Sequence, residues 1–157
     1  MIKKFAAGLL MLGSFAFGLF GADQPFAGTW KLNVAKSKFA KGHEYKDLTV
    51  NAKYEGDTAM VTAKGMDGAG KAISVKYSVP VAGGPVTYTE GAPAAGATVV
   101  SKRVDAHTVE QTTTMDGKPV VSFRSVVSAN GKTLSQTRTY LDKSGKSSKS
   151  VLVYDHQ

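Results

Sequence analysis

An all-β fold, closed as an antiparallel up-and-down β-barrel of about 8–10 strands, is predicted by three observations on this 157-residue chain. From Phe26 onward the sequence consists of period-two segments rich in Val, Thr and Tyr. Gly, Asp and Asn punctuate these segments at short intervals, as hairpin turns require. After the first 22 residues no stretch carries a helical period. About ten strands in succession must close into a ring or stack as two sheets, because an open sheet of that width leaves two bare edges. The connections are mostly too short for Greek-key crossings, which favours the ring.

The elements follow in order. Lys3 and Lys4 precede an uncharged, largely apolar run from Phe5 to Phe20, and the first acid is Asp23. A basic start and an apolar stretch slightly short of a permanent bilayer span predict a secretory signal peptide over residues 1–22. The expected product is one domain, residues 23–157, periplasmic or secreted, without stable membrane insertion after cleavage. An opening strand is expected around Trp30, and Val34 to Lys41 suggests a turn or two before the next. Leu48, Val50, Ala52 and Tyr54 alternate with Asp47, Thr49, Asn51 and Lys53, and Ile73, Val75, Tyr77 and Val79 repeat the pattern. One face of each segment thus belongs to a core and the other to water. Further strands are expected near 58–66, 85–90, 97–104, 107–115, 119–128, 132–141 and 147–155. Glu55-Gly56-Asp57, Asp67-Gly68, Asp116-Gly117 and Asn130-Gly131 read as hairpin turns. Ala82 to Pro85 and Gly91 to Gly96 read as flexible connections.

Composition excludes several kinds of chemistry. The chain has no cysteine, hence no disulfide, thiolate metal site, cysteine nucleophile or lipidated N-terminal cysteine. It carries a formal charge of +8, which falls to +6 once residues 1–22 are removed. The lysines Lys143, Lys146 and Lys149 lie among serine and glycine without interleaved aromatics, a solvated tip and no platform for nucleic acid. His43, His107 and His156 have no ligand spacing, so no metal or other cofactor is expected. There is no Gly-x-Ser-x-Gly elbow, and acids such as Glu90 and Glu110 could form a carboxylate pair only through tertiary structure. The expectation is a non-catalytic, monomeric protein.

The segment Phe26-Ala27-Gly28-Thr29-Trp30 resembles the first-strand Gly-x-Trp signature of the calycin superfamily, the lipocalins and fatty-acid-binding proteins. That resemblance implies a barrel whose base is closed by Trp30, with Gly28 allowing close backbone approach. A broader similarity, through Gly28 to Asn33, Lys36 to Phe39, Lys102 to Glu110, Ser128 to Leu134 and Val151 to Asp155, is to a family of uncharacterised exported bacterial proteins. It implies one compact domain and no particular activity.

Arg138 and Tyr140 resemble the Arg-x-Tyr carboxylate clamp of fatty-acid-binding proteins, because spacing of two places both side chains on one strand face. A guanidinium inside a barrel can bind a carboxylate bidentately, and a tyrosine hydroxyl adds a further bond. The alternative for Arg138, and for Arg124, is an exterior side chain. Tyr54, Tyr77, Tyr88 and Phe123, with Met60 and Met66, are candidates for the walls of an interior cavity or for a solid core. The candidate ligand contacts are therefore Arg138, Tyr140, Arg124, Tyr77 and Tyr54, and the expected partner is a small hydrophobic or amphipathic molecule. A filled barrel whose basic surface meets anionic glycans or lipids is the alternative.

Overall fold

The computed structural model describes residues 24–157, so the expected signal peptide, residues 1–22, lies outside the described residues. Eleven antiparallel strands form one sheet: β1 (Gly28–Leu32), β2 (Tyr45–Glu55), β3 (Thr58–Asp67), β4 (Ala72–Pro80), β5 (Gly83–Pro85), β6 (Thr87–Glu90), β7 (Ala97–Asp105), β8 (Thr108–Met115), β9 (Lys118–Val127), β10 (Thr133–Leu141) and β11 (Ser147–His156). From β1 to β4 and from β7 to β11 neighbours in sequence pair, and β1 pairs with β11, which brings the first and last strands together. The two members at the ends of the sheet, β5 and β6, are halves of a single stretch. Its first half pairs with β7 at Val100, Ser101 and Lys102, and its second half with β4 at Lys76, Tyr77 and Ser78. One segment shared between two neighbours thereby nearly closes the barrel.

This split accounts for the difference from the ten expected strands. Gly83, Gly84 and Pro85 do not form a flexible connection; they are β-paired, and Val86 continues the ladder by donating its amide to the Val99 carbonyl at 2.9 Å. Gly91 to Gly96 is the loop from β6 to β7. The segment after β1 forms a single 3-10 turn, Val34–Lys36, which Asn33 caps by accepting the Lys36 amide. The chain then runs beside β11, with Lys38 bridging Val151, and crosses to β2.

Register fixes which face is inside. Trp30 and Leu32 of β1 are buried with Leu48 and Ala52 of β2, Leu134 of β10, and Leu152 and Tyr154 of β11. These residues fill the half of the barrel built from β1, β2, β10 and β11, and burial of their apolar surface is the main stabilising contribution. On β3 the inward positions are Ala59, Val61, Ala63 and Gly65, whereas Met60 and Met66 point outward and are 38% and 37% exposed. Both methionines are thus removed from the candidate cavity walls: alternation along β3 places them on the face opposite Ala59, Val61, Ala63 and Gly65.

Candidate functional site

Gly28 and Trp30 are joined by the last strand. The Trp30 indole is 1% exposed, donates to the Phe26 carbonyl at 2.9 Å, and meets the His156 ring edge-on at 4.6 Å between centroids. Gly28 has φ +106°, and the space a side chain there would fill is taken by the His156 imidazole.

Beside the packed core, part of the barrel interior is less filled. A cavity of about 110 Å³ reaches from the interior to the end that carries the β2–β3, β4–β5 and β7–β8 hairpins. Its walls are Trp30, Val50, Ala52, Val61, Val79, Val109 and Leu134, with Phe26, Pro80 and Val81 toward the rim. Tyr54 and Tyr77, two of the candidates, also line it. The polar lining consists of Ser101, Gln111, Ser125 and Gln136 in depth and Arg103 near the β7–β8 hairpin. No carboxylate or imidazole lines it. Burial pushes the Tyr77 hydroxyl up to about 12, against a smaller opposing effect of the Gln111 side chain. Tyr54 is also raised by burial, with the neighbouring Arg103 charge acting in the opposite direction. Tyr88 stands beside Tyr77, ring centroids 5.4 Å apart.

Arg138 points inward, one layer beyond the cavity. Its Nε donates to Gln136 Oε1 at 2.6 Å, one Nη donates to the Tyr45 hydroxyl, and the other to the Tyr154 hydroxyl at 3.4 Å. The guanidinium also lies over the rings of Tyr45 and Phe123, 5.2 and 5.0 Å from their centroids. Gln136 passes the connection on by donating its amide to Ser125 Oγ at 2.9 Å. Among the described residues no carboxylate pairs with Arg138; the three ion pairs, Lys36–Asp155, Lys76–Glu90 and Arg124–Glu110, are elsewhere and partly exposed. The interior therefore holds a cation compensated by phenols, an amide and π-faces alone.

Tyr140 shares the inward face with Arg138, and its hydroxyl is enclosed without a hydrogen-bond partner. Burial raises its pKa, and the nearby Arg138 charge lowers it. The His43 ring from the β1–β2 crossing lies flat on Tyr140, 3.6 Å between centroids and 8° from parallel, which closes this end of the barrel. Arg124 is a correction: alternation on β9 sends it outward, where it pairs with Glu110 on β8, far from any interior ligand. Glu90, which pairs with Lys76, is likewise on the outer wall, and the structure does not bring it together with Glu110. Arg103 was not among the sequence candidates. Val100, Lys102 and Val104 alternate with Val99, Ser101 and Arg103, so valines fall on both faces and hydropathy does not reveal which is inside.

No protein-family model matches this sequence, and no curated protein is significantly similar to it. Solved structures do match its fold. The crystal structure of Rv2717c from M. tuberculosis superposes with a TM-score of 0.53 at 15% identity, over 85% of this chain and 93% of that one. Lobster apocrustacyanin A1 superposes with a TM-score of 0.45 at 9% identity, over 85% of this chain and 61% of that one. At these identities the similarity to Rv2717c shows a shared fold and nothing about activity. The antiparallel barrel fits the calycin-like architecture that the Gly28 and Trp30 motif resembles.

Proposed function

We propose that this protein is an exported, non-catalytic, monomeric binding protein, periplasmic or secreted, that holds a small amphipathic molecule inside its barrel. The observation that carries this reading is the electropositive interior: an apolar cavity with Arg103 in its lining, and the carboxylate-free Arg138 directly beneath its floor. A protein that keeps a charge in so costly a place gains most from it when an anionic or acceptor group arrives. Tyr54, Tyr77, Arg103, Gln111 and Gln136 are the direct contacts, whereas Arg138 and Tyr140 act from behind. The absence of an acid or histidine in the lining supports binding over acid–base chemistry.

The test is native mass spectrometry of the mature protein purified gently from its own envelope fraction, against the same protein refolded without ligands. A stoichiometric extra mass, lost on refolding, is the expected result. No extra mass, together with failure to bind apolar dyes or small acids, would overturn the reading.

One observation favours a second reading. The β10–β11 hairpin and the neighbouring crossing carry exposed Lys38, Lys41, Lys143, Lys146 and Lys149 at the barrel end opposite the cavity rim. Such a surface suits anionic lipids or glycans, and salt-sensitive binding to anionic vesicles would support it.

A further inference from the structure

The volume of the cavity and the position of its single charge constrain the occupant more tightly than the fold does. A dry apolar cavity of about 150 Å³ accommodates benzene. The cavity here is smaller, about 110 Å³, although it extends to the rim. A long alkyl chain would not be enclosed in it and would have to run out through the rim. Of the two inward arginines, Arg138 already directs its donors to Gln136, Tyr45 and Tyr154, and Gln136 stands between it and the cavity. Arg103 has one hydrogen bond, from Nη2 to the Ala106 carbonyl at 3.2 Å, and no carboxylate partner among the described residues. A guanidinium has five N–H donors, so several remain for a ligand.

We propose that the occupant is a small carboxylic acid whose apolar body is no larger than about one six-membered ring, held with its carboxylate on Arg103 at the rim and its body turned inward. This rests on the interior-binding reading above and reverses the orientation that a deep arginine clamp would impose. The body meets Trp30, Val50, Val61 and Leu134, and the acid reaches Arg103 without displacing Gln136 from Arg138. Arg103 is the residue that sets the preference for an acid over a neutral molecule of the same shape.

The experiment is calorimetric titration of the mature protein and its Arg103→Gln, Arg103→Lys and Arg138→Gln variants with benzoate, benzyl alcohol and palmitate. Thermal melts establish that each variant is folded. Benzoate is expected to bind at least about tenfold more tightly than benzyl alcohol. Arg103→Gln removes that preference by weakening benzoate far more than benzyl alcohol; Arg103→Lys restores part of it, and Arg138→Gln retains most of it. Binding of palmitate without benzoate, or a preference that survives Arg103→Gln and disappears in Arg138→Gln, would overturn the proposal while leaving interior binding intact. If none of the three probes nor any apolar dye binds, interior binding itself fails and the proposal falls with it.

Discussion

The imidazole of His156 occupies the space that a side chain on Gly28 would need, so the first and last strands are fitted to each other at a single missing methyl group. Gly28 also has φ +106°, a conformation that costs any other residue energy. Gly28→Ala is expected to destabilise the fold by about 1–3 kcal/mol, read as a lower urea midpoint at an unchanged slope. Adding His156→Ala should return part of the loss. Strictly additive losses in the double variant would show that strain, and no clash with the imidazole, is responsible.

Arg138 separates the effect of charge from that of volume. Its head is surrounded by polar groups without a carboxylate and lies over the rings of Phe123 and Tyr45, so the side chain also fills interior space. Replacing it with methionine keeps most of the volume and relieves the charge, so Arg138→Met should remain within about 1 kcal/mol of the parent stability. Arg138→Ala should lose about 3 kcal/mol. Equal losses in the two variants would mean that the bonds to Gln136 and Tyr45 matter more than the packing.

Alkaline pH provides a third measurement. Folding raises the Tyr77 pKa to about 12 from the ordinary 10.0, chiefly through burial. The folded state therefore holds this proton where the unfolded chain releases it. Stability from this group is complete below pH 10 and is lost as pH rises from there toward 12, by up to about 2–3 kcal/mol. Tyr54, Tyr88, Tyr140 and Tyr154 are shifted the same way. Tyrosinate absorbance should develop late in the native protein and at ordinary pH in urea, and Tyr77→Phe should flatten the alkaline loss of stability. An unaltered slope in that variant would place the effect on the other tyrosines.

Arg124 and Glu110 form a pair on the outer wall, with side chains 52% and 39% exposed. Solvent screens such a pair, and Arg124→Ala should change stability by less than about 1 kcal/mol. Binding of any interior ligand should be unchanged, and a loss of affinity in this variant would return Arg124 to the site.

The sequence made the barrel legible because alternation and turn chemistry agreed over almost every strand. Leu48, Val50, Ala52 and Tyr54 all face inward as their spacing implies, and so do Ile73, Val75, Tyr77 and Val79. The inward face was harder to read where both faces carry apolar groups. On β3, hydropathy pointed to Met60 and Met66, yet the register with β2 turns Ala59, Val61, Ala63 and Gly65 inward and both methionines outward. On β7 the same ambiguity hid Arg103. Arg138 and Tyr140 were legible as a pair on one face, but their direction was decided by register: Arg138 pairs with the inward Phe123 on one side and with Ser150, 0% exposed, on the other. That Gln136 would stand between Arg138 and the cavity is a matter of side-chain packing, which spacing alone does not encode.

The stretch from Gly83 to Glu90, shared between β4 and β7, also bears on how the protein behaves when crowded. Without it, both neighbours would present rows of free amides and carbonyls to any passing extended chain, including another copy of this one. With it, β4 is covered at Lys76–Ser78 and β7 at Val100–Lys102. The covering piece is a poor template in its own right, since Pro85 has no amide to offer and Gly83 and Gly84 both have positive φ. What holds the ring together is thus also its defence against growing into a fibre.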